Sequence, residues 1–359
     1  MILSLALLLA AATPAPVAAP PAAASRAWPT TEGDVTVPGF TFASGEKLDV
    51  RMHYTTLGTP HRDAQGRIDN AVMVLHGTGG TGKQFLQPQF ADRLYGPGAP
   101  LDLARTYVIL PDSVGHGKSS KPSDGLHARF PRYTYADMVA LQHRLLTDGL
   151  KVDRLRLLMG TSMGCMHAFV WGEAFPGFAR ALMPMACLTV EIAGRNRMWR
   201  KLSIDAVRAD PAYAEGDYKS QPVAGLRTAV ALSAMAGSVP LRLQAELPTR
   251  EAVDAAVEKR VATDIAGRDA NDLIWQLDAS RDYNPSAGLA KITVPVRWIN
   301  SADDFINPPG LGIAEREVGK MPRATFRLIP ESVEGRGHST HTWADFWIDD
   351  LKALLKASE

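Results

Sequence analysis

The chain has 359 residues, with 39 Lys+Arg against 38 Asp+Glu and a formal net charge of +1. That balance removes the electrostatic case for nucleic acid or an acidic membrane surface as a dedicated partner. At 46% hydrophobic and 21% charged it is a folding composition, and two cysteines exclude a disulfide-dense scaffold and a four-cysteine zinc site.

Residues 2–12 form an apolar run of signal-peptide length, although no Lys or Arg precedes it. A Pro/Ala-rich stretch with small-x-small sites follows, so residues 1–24 are expected to be a cleaved export signal. The mature protein would then start near Ser25 and work in the periplasm or outside the cell, with no stable membrane insertion once the signal is gone. In that compartment Cys165 and Cys187 have a disulfide open to them. Two buried free thiols are the preferred expectation.

Residues 35–42 and 48–57 read as β, with Gly45 marking the turn between them. A polar loop over 58–69 is followed by a repeating order of apolar strand, Gly-rich turn and amphipathic helix. The strands are expected at 71–75, 107–110, 155–159, 181–185, 294–300 and 325–329. Their continuous apolar runs suggest burial on both faces of a mostly parallel sheet. A helix over 134–149 opens on Thr134 and Asp137 in a capping-box pattern, and a last helix is expected over 343–356. Strand–helix alternation makes the fold class α/β.

Between about 188 and 285 no strong strand occurs, while helical patterns recur at 197–209, 225–236, 249–266 and 271–279. We read this as a helical lid inserted between a first core segment, 25–187, and a second, 286–359. Met198, Trp199, Met235 and Trp275 of the lid are candidates to line an apolar pocket, with lid-to-core packing the preferred role for most of them.

The chemistry sits in three places. Gly160-Thr161-Ser162-Met163-Gly164 follows an apolar strand and precedes a helix-competent stretch, the context of a G-x-S-x-G nucleophile elbow. The small residues two before and two after Ser162 let a sharp turn pass close to neighbouring backbone. Such a serine needs a base, and the base needs an orienting acid. After the strand at 294–300, Asp304 stands four residues before Pro308 and is preferred as the acid over Asp303. After the strand at 325–329, His338 follows Gly337 on a flexible loop and is the expected base, with His341 as the fallback. The oxyanion donors are expected to be the N–H groups of Met163 and Thr78, with His76 holding the Thr78 loop.

Other readings are weaker. Gly77 to Lys83 nearly spells a phosphate loop, with Asp112 posing as its acidic partner, but Gln84 stands where Ser or Thr should hold magnesium. None of the nine histidines is spaced as a zinc-hydrolase pair, and His116 and His143 read as turn and surface residues. No cofactor and no metal is expected. A small acyl substrate is the expected partner, and a homodimer is left open. A catalytically idle binding protein on this fold is the remote alternative.

With these residues in place, the chain resembles the α/β-hydrolase superfamily over nearly all of its mature length. Within it, the chain resembles the homoserine O-acetyltransferase-like branch. The carriers are Arg132-Tyr133-Thr134-Tyr135-Ala136-Asp137-Met138-Val139, the elbow, Leu188 to Glu191, Asn196 to Ala209, Asp304 to Pro309 and Gly337-His338. The resemblance implies an acyl-enzyme mechanism on Ser162, ending in hydrolysis of an ester or transfer to an alcohol or amine. Branch members acting on homoserine carry an aspartate directly after the catalytic histidine to meet the substrate amine. Here that residue is Ser339, so ester hydrolysis is the leading expectation and acyl transfer the alternative.

Overall fold

The computed structural model describes residues 26–359; the expected export signal lies outside them. Among the described residues eight strands form one sheet: β1 Thr31–Thr41, β2 Lys47–Leu57, β3 Ala71–Leu75, β4 Tyr107–Pro111, β5 Leu157–Thr161, β6 Leu182–Met185, β7 Val296–Ser301 and β8 Ala324–Ile329. Their order across the sheet is β1-β2-β4-β3-β5-β6-β7-β8. The first two strands run antiparallel to their neighbours, and the remaining pairs are parallel.

The continuous apolar runs have the expected cause. In β3, Ala71, Met73 and Leu75 join the core on one face, while Val72 and Val74 join the core on the other. Period-two alternation therefore meets an apolar layer on both sides, and every residue of the strand is buried. Because the chain passes from β3 to β4 on one side and from β5 to β6 on the other, the connections that leave the neighbouring strands β3 and β5 run in opposite directions. The crevice this opens at the strands' carboxyl ends is where an open α/β sheet binds ligands.

The helices are α1 Pro88–Leu94, α2 Tyr135–Arg144, α3 Met163–Ala174, α4 Gly194–Ala209, α5 Val223–Ala236, α6 Pro240–Glu246, α7 Arg250–Ile265, α8 Ala270–Asp278, α9 Ile313–Val318 and α10 Ile348–Ala357. Thr134 caps α2 by accepting the Asp137 N–H, and the Asp137 carboxylate accepts the Thr134 N–H in return. The chain then widens into a π-helical turn over Leu145–Leu150 rather than continuing as α-helix. The last helix starts later than expected: two short 3-10 turns, Gly337–Thr342 and Ala344–Phe346, fill the beginning of that stretch.

Helices α4 to α8 form the insertion between β6 and β7. Its small core consists of Ile204, Val207, Tyr213, Leu226, Ala229, Leu273, Ile274 and their neighbours. The short helix α6 had no counterpart in the sequence reading. The insertion is tied to the main body by α8, where the Gln276 side chain donates to the Gly115 carbonyl at 2.8 Å and the Trp275 indole to the Phe130 carbonyl at 3.1 Å.

The preferred thiol reading is corrected: Cys165 and Cys187 form a disulfide, with their Cα atoms 5.9 Å apart. β5 and β6 are neighbours, with Thr161 opposite Met185, so the two chain segments leaving them carry both cysteines to one place.

Candidate active site

Ser162 sits between β5 and α3 at φ +54° and ψ −110°, a backbone conformation that costs a non-glycine residue energy. Its flanks show why the turn needs glycine. A Cβ on Gly160 would stand 1.9 Å from the Gly164 carbonyl oxygen, and one on Gly164 would stand 2.1 Å from the Leu75 carbonyl oxygen. Both approaches are to backbone, which cannot swing aside. The Ser162 N–H donates to the Met185 carbonyl at 2.8 Å, which ties the turn to the next strand.

The histidine reaches Ser162 from the far end of the sheet. His338 Nδ1 lies 2.9 Å from Asp304 Oδ2, and its Nε2 lies 2.7 Å from Ser162 Oγ. A carboxylate can only accept, so Nδ1 carries the proton and Nε2 offers its lone pair to the serine hydroxyl. The Asp304 carboxylate also accepts the Ile306 N–H at 2.7 Å, the Asn307 N–H at 3.2 Å and the Asn307 side-chain amide at 2.9 Å. Burial pushes the Asp304 carboxyl up, but the His338 ring beside it and these hydrogen bonds outweigh burial and hold it below the usual range.

Asp303 does something else. Its carboxylate accepts the Gly337 N–H at 3.0 Å, and the Ser301 hydroxyl donates to the Gly337 carbonyl at 2.8 Å. The residue before His338 is thus gripped at both ends of its peptide frame by the end of β7. His341, the fallback base, is half-buried, and desolvation of its ring followed by the nearby His338 lowers its pKa to about 3. It is a neutral packing histidine whose ring centre is 5.4 Å from that of His338.

The loop after β3 lies against the nucleophile. A Cβ on Gly77 would sit 3.3 Å from Ser162 Cβ. His76 fixes this loop: its Nδ1–H donates to the Gly77 carbonyl at 2.9 Å and its Nε2 accepts the Ser113 N–H at 3.0 Å. Burial lowers the His76 pKa, consistent with a neutral ring that holds the loop. The Gly164 N–H is used on the His76 carbonyl, which leaves Met163 to offer the first free N–H of α3 beside Ser162. Thr78, the other expected donor, stands two residues after His76, and its hydroxyl is buried without a partner.

The near-phosphate loop is occupied by structure. Lys83 pairs with Glu32 at 2.6 Å, the Gln84 amide donates to the Thr161 hydroxyl at 3.2 Å, and Asp112 accepts the N–H groups of Gly82 and Lys118. His116 is in a turn as expected and is buried there; His143, expected at the surface, is half-buried and stacked on Phe175 at 4.0 Å.

A cavity of about 540 Å³ opens at Ser162 and His338. Its walls come from the segment after β6 with the start of α4, residues 186–196 and Arg200, and from residues 306–313 after Asp304. The four lid residues singled out for this role do not line it. Met198 and Met235 are 60% and 65% exposed, while Trp199 and Trp275 pack against the insertion's own core. Sequence reading passed over Asn307, Arg200 and the loop at 306–313. Asn307 and Arg200 stood inside stretches already singled out, but nothing in their spacing marks a side chain that faces a cavity.

A profile of the α/β hydrolase fold matches residues 70–345. A homoserine O-acetyltransferase of Clavibacter michiganensis subsp. michiganensis is 35% identical over 219 residues, covering 54% of each chain, so the match spans about half that relative's length. A probable acyltransferase of Methanothermobacter thermautotrophicus is 28% identical over 82% of this chain and 86% of its own. An acetylester hydrolase from Corynebacterium glutamicum superposes with a TM-score of 0.78 at 20% identity, over 91% of this chain and 96% of that one, which speaks for the fold alone. The profile match over most of the chain makes it a member of the α/β-hydrolase fold family, and the strand order agrees.

Proposed function

We propose that the protein is a serine acyl hydrolase that works through an acyl-enzyme on Ser162. The observation that carries this reading is the unbroken contact line from Ser162 Oγ to His338 Nε2 at 2.7 Å and from His338 Nδ1 to Asp304 at 2.9 Å. A serine hydroxyl is a weak nucleophile until a base takes its proton. His338 takes it as Oγ attacks the ester carbonyl, and Asp304 stabilises the imidazolium that forms. The developing oxyanion is held by the N–H groups of Met163 and Thr78. His338 then returns the proton to the leaving alcohol, and water, activated by the same ring, releases the acid. No metal or cofactor enters any step.

A second reading has its own support: the named sequence relatives are acyltransferases. Transfer to an alcohol would use every one of these groups, with the acceptor in place of water. The residue after His338 is Ser339 rather than the aspartate that meets a homoserine amine, which favours hydrolysis or a different acceptor. The helical insertion serves as a lid over the cavity. Export is part of the proposal, supported by the apolar run at residues 2–12 and by the Cys165–Cys187 disulfide, a bond that persists in oxidising compartments.

Fluorophosphonate labelling of the purified protein, with the modified peptide mapped, tests the reading. The expected result is one adduct on Ser162, lost in His338→Ala, and turnover of simple esters that Ser162→Ala abolishes. A folded protein that takes no label overturns it. A rate that climbs with added alcohol, giving the acylated alcohol as product, moves the assignment to transfer.

A further inference from the structure

Arg200, on α4, lines the cavity that holds Ser162 and His338. Its side chain is 2% exposed. Its Nε donates to the Asn196 side-chain oxygen at 3.0 Å and its Nη1 to the Ser280 hydroxyl at 3.3 Å, both neutral acceptors. Among the described residues no carboxylate pairs with it, and the further polar group against it is the Tyr135 phenol. The Tyr135 phenol beside it supplies no charge, because burial raises its pKa. Arg297 and Arg327 differ from it in this, since both meet the buried carboxylate of Asp350.

A guanidinium stays charged at any ordinary pH, and a buried charge without a counter-ion is costly. Its uncancelled potential extends into the low-dielectric space it faces. The other basic group on the cavity wall, Arg195, turns to its own surroundings, with Nη2 donating to the Phe305 carbonyl at 2.5 Å and the guanidinium lying over the Phe305 ring. The wall carries one carboxylate, Glu191, which is exposed and makes no ion pair with Arg200.

We propose that Arg200 is the receptor for a carboxylate on the substrate, so that the cavity selects esters carrying a free carboxylate near the scissile bond. The inference rests on the acyl-enzyme reading and adds the substrate's charge to it. Asn196, which orients the guanidinium, and the apolar wall from Ile306, Leu311 and Ile313 define the rest of the subsite. The carboxylate belongs to the acyl part or to the alcohol part, and matched substrates separate the two.

The test compares kcat/KM for monoethyl succinate against ethyl butanoate, with the charge on the acyl side, and for 4-acetoxybutanoate against butyl acetate, with the charge on the alcohol side. Wild type is expected to prefer the charged member of one pair by about tenfold or more, the scale of one charge-assisted hydrogen bond. In Arg200→Gln that ratio falls to one or below, and Arg200→Lys restores part of it. Should Arg200→Gln fail to fold, wild type alone decides: glutarate inhibits neutral-ester turnover competitively, and glutaramide does so at least about tenfold more weakly. Wild-type ratios at or below one in both pairs, with turnover of neutral esters abolished in Ser162→Ala, overturn the inference and leave the acyl-enzyme reading standing. Turnover that persists in Ser162→Ala overturns both.

Discussion

Asp303 accepts the Gly337 N–H at 3.0 Å, while its neighbour Asp304 takes the ring of His338, the next residue along. Two adjacent carboxylates at the end of β7 thus hold one histidine, the first through its backbone and the second through its side chain. A loop fixed in this way keeps Nε2 on Ser162 without having to order itself during reaction. Gly335 belongs to the same device: a Cβ there would come within 2.3 Å of Asp303 Oδ2. Asp303→Ala should therefore lower kcat by roughly tenfold with little change in KM, a positioning defect. Asp303→Asn keeps an acceptor oxygen and should recover part of the loss. A rise in KM with kcat intact would show that Asp303 acts on substrate binding.

Asp304→Asn is the sharper change. An amide offers Nδ1 a weaker acceptor or the wrong partner, and the imidazolium loses its stabilising charge. We expect kcat to fall on the order of 10³- to 10⁴-fold with the protein still folded, measured by steady-state kinetics alongside circular dichroism. A loss under tenfold would remove Asp304 from the proposed role.

Gly164→Ala tests the elbow itself. The new methyl meets the Leu75 carbonyl, which is fixed in the central strand, so the turn or the strand must shift. Thermal unfolding should show a loss of roughly 1–3 kcal/mol, and the residual enzyme should be slower because Ser162 is displaced. Unchanged stability would mean that the close approach is not fixed in solution.

The disulfide closes a loop with a sequence separation of 22 residues. Restricting the unfolded chain by that amount should stabilise the protein by about 3 kcal/mol. Cys165→Ser with Cys187→Ser, or wild type under reductant, should melt several degrees lower. Because Cys187 also lines the cavity, the same samples should show altered ester kinetics. Identical melting with and without reductant would argue that the bond does not form in the purified protein.

Asp272, in the first turn of α8, gives a pH-dependent prediction. Burial raises its pKa to about 6, outweighing the two hydrogen bonds from Ser123 that favour the charged form. The folded protein then binds this proton more tightly than the unfolded chain, so stability falls as pH rises from about 4 to about 6 and stays lower above that. Asp272→Asn cannot ionise, and an amide oxygen can still accept the Ser123 N–H that Asp272 accepts at 2.9 Å. The variant should be more stable than wild type by roughly 1–3 kcal/mol at pH 8 and equal to it at pH 4. Denaturant midpoints at the two pH values check this; a variant less stable at both would assign the carboxylate a charge-dependent role.

Sequence alone determined the parts whose cause is local. The apolar runs gave β3 and its parallel neighbours, because burial on both faces leaves no polar alternation. Thr134 and Asp137 gave the start of α2, and the glycines around Ser162 gave the elbow, since only a residue without Cβ passes the backbone that closely. The order of Ser162, Asp304 and His338 was legible because each follows a strand end.

Only the tertiary structure decided what depends on one segment meeting another. That β5 and β6 stand side by side is a fact of the sheet, and it turned two expected thiols into a disulfide. Asp303 and Asp304 are chemically identical in the sequence; which one faces the ring depends on where the loop from β8 returns. Arg200 is one basic residue in an amphipathic helix until packing buries it against a cavity without a counter-charge. Met198 and Met235, by contrast, have the composition of a pocket wall and project into solvent. Spacing along the chain fixes which face of an element a residue lies on, but the object opposite that face is set by the whole fold.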